Sequence, residues 1–304
     1  MIDPKSRRHF MKTLGASGAV FAMNSGNAES REMNTDGQQN PHQPVNVSDI
    51  NPGKVLLTEL TRKEVREWFD TGNLKAAIIP TGSTEQHNEH MALSMDTEAS
   101  MVISQLTALK LFPKVIVTTP VAFGICPFFM KRRGTITIRE EIFVGLVYDI
   151  CCSMKTHGIN TILIVNGHGG NTRTLSNNVA QFSEELGITI DACTYWNSIP
   201  RDRRMEFTET GNVPGHADEF ETSFALAAFP EKIRRVSYNE EDLYNWNPDQ
   251  KDLDRVGYFD ARWFSKEFDK SSFEESLLAN AEKGERFISH AVEWTAEKLL
   301  TMMG

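Results

Sequence analysis

Residues 81–96, TGSTEQHNEHMALSMD, gather Glu85, His87, Glu89, His90 and Asp96 into one short stretch that directly follows an apolar run. All five are metal-ligand or acid/base residue types. Glu85 and His87 are two positions apart, so extended backbone turns both side chains to one face. Asp96 follows His87 by nine residues, enough chain to return to the same place. A second cluster, NGHGGN at 166–171, follows another apolar run and adds His168. A mixed nitrogen and oxygen donor set of this kind suits Zn²⁺, Mn²⁺ or Fe²⁺ better than Ca²⁺ or Mg²⁺. The chemistry such a site supports is hydrolytic: a bound divalent ion acidifies water and polarises a carbonyl.

Each residue also has a purely structural reading. Asp96 could cap a helix. Glu85 could be a solvated loop acid, and His87 and His90 surface residues. Gly167, Gly169 and Gly170 could form a tight strand-to-helix turn or a phosphate cradle at a helix N-terminus. The turn lacks the P-loop lysine and the full GxGxxG pattern. What favours the metal reading is that both clusters sit at strand ends.

The elements that must position these residues are legible around them. Val55–Leu60 reads as a first strand, and Thr61-Arg62-Lys63-Glu64 as a capping box opening a helix to Asp70. Ala76–Pro80 is an apolar strand. A helix is expected from Asp96 to Leu111, a strand over Val115–Val121, a short strand over Gly134–Ile138 and a helix over Arg139–Thr156. Thr161–Val165 is a strand, Thr172–Leu186 a helix and Ile188–Tyr195 a strand. Residues 239–277 are rich in Asp, Asn, Tyr and Trp, and read as an ordered excursion over the site or onto a neighbouring subunit. A last helix is expected over Phe273–Met302. Strands apolar on both faces that alternate with amphipathic helices specify an α/β fold, a three-layer α/β/α sandwich with a mainly parallel sheet. Ligands of open parallel sheets bind outside the carboxyl ends of the strands, where both clusters lie.

The chain has 304 residues with a net charge of −9, long enough to bury a large core. Residues 1–28 hold four Lys/Arg and one acidic residue, so the remainder is more acidic than the whole. That balance argues against nucleic acid as a partner. Cys126, Cys151, Cys152 and Cys193 contain no CxxC pair and read as buried free thiols.

Ser6-Arg7-Arg8-His9-Phe10-Met11-Lys12 closely resembles a twin-arginine export motif, and a short Gly/Ala-rich apolar run follows it. Residues 1–28 are read as a signal peptide, 29–53 as a polar linker with an idle His42, and 54–304 as the hydrolase body. The expected partner is the twin-arginine export machinery, and the expected location the periplasm or another extracytoplasmic space. The processed chain is expected to leave the membrane.

TGSTEQHNEHMALSMD and NGHGGN together resemble the metal-site motifs of the creatininase (creatinine amidohydrolase) family. Tyr195-Trp196-Asn197 is similar to a Tyr-Trp pair whose Trp lines the creatininase substrate pocket, and Gly215–Ser223 resembles a further motif ending in Glu-Thr-Ser. Residues 279–284 are a weaker echo. The resemblance implies a creatininase-like α/β/α sandwich, hexameric assembly and two metals bridged by a carboxylate. By position, Glu85, Asp96 and His168 would hold one ion, and His87 and Asp96 the other. Creatininase has a glutamate ligand where this chain has Gly170, so Glu221 is expected to replace it, with Glu219 as runner-up. His216 is expected to transfer a proton to the leaving nitrogen. Trp196, Gly169, Gly170, Phe128 and Arg133 are expected to contact a small-molecule substrate.

The expected function is metal-dependent hydrolysis of a cyclic or linear amide. Two alternatives remain: metal-dependent cleavage of a keto-sugar or keto-inositol ring, and a non-catalytic binding protein of the same fold.

Overall fold

The structure, a computed structural model, describes residues 54–241, 246–261 and 265–304. The readings for residues 1–53, and parts of the 239–277 segment, lie outside the described residues.

Four parallel strands form the sheet: β1 (Ala76–Thr81), β2 (Val115–Val117), β3 (Thr161–Asn166) and β4 (Thr189–Thr194), in the order β2-β1-β3-β4. Every residue of β1 and β3 is buried, as two-sided coverage of a parallel sheet requires. Their register pairs Ala76 with Thr161 and Thr81 with Asn166, so the two strands end level.

Helix α1 (Arg62–Asp70) opens with the expected capping box: Thr61 Oγ1 accepts from Glu64 N–H, and the Glu64 carboxylate accepts from Thr61 N–H. Helix α2 (Met95–Lys110) joins β1 to β2, α3 (Glu140–Thr156) joins β2 to β3, and α4 (Thr172–Leu186) joins β3 to β4. The first crossover runs in one direction along the sheet, and the next two run in the other. Right-handed crossovers of opposite direction place their helices on opposite faces. Accordingly α2 packs with α8 (Ala281–Met303), and α3 packs with α4. Helix α8 also packs closely on α5 (Glu219–Ala228). The direction reverses between β1 and β3, which makes their carboxyl ends the topological switch point.

Several expectations change. Val55–Leu60 is not a strand: only Leu56 bridges to Val117, and a single tight turn (Leu57–Glu59) follows. Thr58 and Glu59 are exposed, so no period-two apolar face continues. The strand expected over Val115–Val121 stops at Val117. Thr118 and Val121 still donate to Ile78 O and Pro80 O, but Pro120 has no N–H to continue the ladder. Residues 134–138 make only isolated bridges, Thr84 to Ile136 and Gly124 to Thr137. The last helix is two: α7 (Lys266–Ser276) and α8, with Asn280 capping α8 through its side chain. An asparagine cap of this kind was the missed punctuation. A further short helix, α6 (Gln250–Arg255), lies in the polar segment.

Candidate metal centre

The loop after β1 turns back on itself within a few residues. Gln86 Oε1 accepts from Asn88 N–H at 2.9 Å, and Asn88 takes a positive φ of 55°. His87 and Met91 then bridge across the turn. This carries Glu85 and His87 under the start of α2, whose second residue is Asp96. Asp96 does not cap the helix. The N-cap position is Ser94, and the Asp96 side chain is buried. His168 arrives from β3. Asn171 ties the loop ends together: its amide donates to Gly82 O at 3.0 Å, and its Oδ1 accepts from Ile125 N–H at 3.0 Å.

The two carboxylate oxygens of Asp96 face different histidines. Oδ1 lies 3.1 Å from His87 Nε2, and Oδ2 lies 3.0 Å from His168 Nδ1. Around the first corner, Glu221 Oε2 stands 3.6 Å from His87 Nε2. Around the second, Glu85 Oε2 stands 3.3 Å from His168 Nδ1. His87 Nε2 and Asp96 Oδ2 are buried and make no hydrogen bond of proper angle despite these close approaches. Buried polar atoms are costly when unsatisfied. Their convergence therefore fits a cation between them.

The tautomers fit as well. His87 Nδ1 lies 3.2 Å from Glu85 O, and His168 Nε2 lies 3.1 Å from Ile125 O. A carbonyl can only accept, so each of these nitrogens carries the proton. His87 Nε2 and His168 Nδ1, which face the carboxylates, are thus the nitrogens that can offer a lone pair to an ion.

The site holds more negative charge than its surroundings satisfy. Burial raises the Glu85 carboxyl above its ordinary value. Burial also pushes Glu221 up to about 8, with His87 opposing and the Asp96 charge adding to the rise. Burial works against a charged His87, but Asp96, Glu221 and Glu85 outweigh it and push the imidazole up to about 10. Asp96 is also opposed by burial, yet His87 and His168 hold it well below the usual carboxylate range.

Gly170 and Glu221 are complementary. A Cβ at position 170 would lie 2.2 Å from Ile125 O and 2.4 Å from His168 Nε2, so no side chain fits there with this loop in place. Glu221 fills the other side. It sits in the first turn of α5, where Asp218 caps the helix, and its Oε2 accepts from Ala217 N–H at 2.6 Å. Ala217 takes a positive φ of 51°, an unusual conformation for alanine, and in it presents that N–H to Glu221. Glu219 points elsewhere: Lys283 donates to it and so do the Glu209 and Thr210 amides.

His216 completes the arrangement. Its Nδ1 is 3.8 Å from Glu85 Oε1, and its ring lies 4.6 Å from the rings of both His87 and Phe129. A cavity of about 230 Å³ opens beside these groups, lined by Phe128, Gly169, Gly170, Trp196, His216 and both carboxylate corners. Arg133 is not in that lining. It is exposed and lies over the Trp246 ring. His90 bonds to Thr222 Oγ1 at 2.8 Å, away from the two corners, and burial lowers it to about 4. Three residues of the site escaped the sequence reading: Gln86, Asn171 and Cys126. Gln86 and Asn171 stood inside the two motifs, and Cys126 stood beside Pro127, the only available hints.

The pattern described as creatininase, creatinine amidohydrolase, matches residues 58–299. The chain belongs to the creatininase family. It is 28% identical to a 3-dehydro-scyllo-inosose hydrolase of Thermotoga maritima over 59% of this chain and 58% of the relative. It is also 28% identical to a mycofactocin precursor peptide peptidase of Mycobacterium ulcerans, over 51% of this chain and 59% of the relative. The match thus spans less than two thirds of either relative. The solved structure of creatininase shares the fold, with a TM-score of 0.65 at 20% identity over 81% of this chain and 97% of that one.

Proposed function

We propose that this creatininase-family protein is a hydrolase dependent on two divalent metal ions, acting on a carbonyl of a small cyclic or linear amide. The observation that carries the reading is the division of Asp96: one oxygen faces His87 and Glu221, the other His168 and Glu85. Asp96 would bridge the two ions, with His87 and Glu221 holding one and Glu85 and His168 the other. Solved creatininases are described in a Zn-Zn type and as creatininase Mn, and the donor set suits zinc, manganese or iron.

Ions bound there supply an acidified water nucleophile and polarise the carbonyl. The chain's own residues handle the proton and the fit. Because Gln86 Oε1 is taken by Asn88 N–H, the Gln86 amide faces His216 Nε2 as a donor at 2.9 Å. That leaves the His216 proton on Nδ1, the nitrogen turned towards Glu85. Burial, and then the charge of His87, hold His216 well below its ordinary value, so it stays neutral. A neutral imidazole with a fixed Nδ1–H can donate to a leaving nitrogen. Trp196 and Phe128 form apolar walls, and the small cavity favours a ring-sized substrate over a peptide.

A second reading is opening of a keto-sugar or keto-inositol ring at the same ions. The Thermotoga relative's name and the aromatic walls favour it. Metal quantitation followed by a screen of lactams, N-formyl compounds and keto-inositols separates these readings. Release of amine from an amide supports the first, and ring opening without nitrogen release supports the second. A chain that binds metal and turns over none of these compounds contradicts both.

Two further properties belong to the proposal. The twin-arginine motif at Arg7 and Arg8 supports export of the folded, loaded protein, testable by fractionating the full chain and an Arg7→Lys/Arg8→Lys variant. Homo-oligomerisation is supported by exposed apolar side chains: Ile142 and Leu146, four apart on α3, and Phe123 and Ile136, each one residue before the Gly124–Thr137 bridge. Light scattering of the purified protein tests it.

A further inference from the structure

A thiol lies against Glu85, behind the residues that line the cavity. Cys126 is fully buried, and its Sγ lies 2.5 Å from Glu85 Oε2. Sγ, a Glu85 oxygen and a His168 ring nitrogen all lie within 4.8 Å of one another, a spacing at which one ion can touch all three. The backbone holds the thiol in place from three sides. Cys126 N–H donates to Thr137 Oγ1 at 2.9 Å, the preceding Ile125 N–H donates to Asn171 Oδ1, and Ile125 O accepts from His168 Nε2. The same hydrogen bond that turns His168 Nδ1 towards the ion thus fixes the residue next to the sulfur. An independent sign of a ligand at this corner is Asp96 Oδ2, buried, 3.0 Å from His168 Nδ1 and without a hydrogen bond.

We infer that Cys126 is a thiolate ligand of the ion held by Glu85, His168 and Asp96, giving that corner one sulfur, one nitrogen and two carboxylate donors. The inference rests on the metal reading above and deepens it. On coordination the thiol gives up its proton to solvent as the metal–sulfur bond forms, and no atom changes oxidation state. A sulfur donor biases the corner towards zinc and away from manganese, which prefers oxygen. Among the described residues no sulfur joins the corner with His87 and Glu221, so the two positions differ in metal preference within one chain.

X-ray absorption of the zinc-loaded full chain is the test. The expected result is a sulfur scatterer at about 2.3 Å beside nitrogen and oxygen at about 2.0–2.2 Å. A Cys151→Ser/Cys152→Ser/Cys193→Ser variant, in which Cys126 is the remaining cysteine, should keep the sulfur, and Cys126→Ser should lose it. Cobalt loading should give a near-ultraviolet thiolate-to-cobalt band in the same variants that keep the sulfur. Zinc affinity relative to manganese should fall about 10-fold or more in Cys126→Ser. Bound zinc with nitrogen and oxygen neighbours alone overturns the ligand assignment and leaves the metal enzyme standing. A chain that binds no zinc overturns both.

Discussion

At the residue scale, the centre is a problem of uncompensated charge. Glu85, Asp96 and Glu221 are all buried within reach of His87 and His168. Without metal, His87 is pushed up to about 10 and Glu221 to about 8, so both carry protons at neutral pH. An ion must displace those protons. Metal affinity should therefore rise with pH through 8 and on towards 10, and fall as pH decreases. Calorimetry in buffers of different ionisation enthalpy should show proton release on metal uptake at pH 7, and its absence would contradict this account. His216→Ala should lower kcat by about 10²–10⁴-fold while both metals remain bound. Gln86→Leu should lower kcat by less and leave KM nearly unchanged, because it frees the His216 tautomer without removing the ring. Full activity in either variant would remove the Gln86–His216 pair from the chemistry. The ligand-type residues were plain in the sequence. Which oxygen of Asp96 faces which histidine was not, because that depends on where α2 starts relative to β3.

At the element scale, the strands reveal why two motifs 70 or more residues apart in the chain form one site. β1 and β3 are adjacent, level and buried on both faces, and crossover direction reverses between them. Their apolar composition was readable, as was the capping box of α1. The edges were harder: Val115–Val117 is short because Pro120 interrupts it, and the strand expected at Val55–Leu60 fails because Thr58 and Glu59 face solvent. The third part of the site comes from α5, which α8 presses into place. A Cβ at Gly284 would lie 2.0 Å from Ser223 O and 2.8 Å from Ala227 Cβ, so the two helices meet at that glycine. Gly284→Val should cost about 1–3 kcal/mol by overpacking, several degrees in Tm for a chain of this size. Because α5 carries Glu221, the same variant should also weaken the metal beside His87. Unchanged Tm and metal content would show that the helix contact is slack.

At the scale of the whole molecule, folding and loading are expected to be coupled. The metal-free centre tolerates its buried acids by holding protons on His87 and Glu221, and ions that bind only the folded chain stabilise it by mass action. Chelator treatment should lower Tm, and readdition of zinc or manganese should restore it. An unchanged Tm on complete metal removal would mean that the centre contributes nothing to the fold. The family relationship, visible in motifs spread from Glu85 to Glu221, extends over residues 58–299. It does not select the substrate, since relatives at equal identity are described as acting on an inosose and on a peptide.

The division of Asp96 between two corners, with Glu221 beside His87 at one of them, is tested most directly by counting metal. Elemental analysis of the purified full chain and of Glu221→Gln, after equilibration with zinc and removal of loosely bound ions, should give two ions per chain for the first and one for the second. Two ions in both would contradict the role of Glu221, and none in the unaltered chain would contradict the metal centre itself.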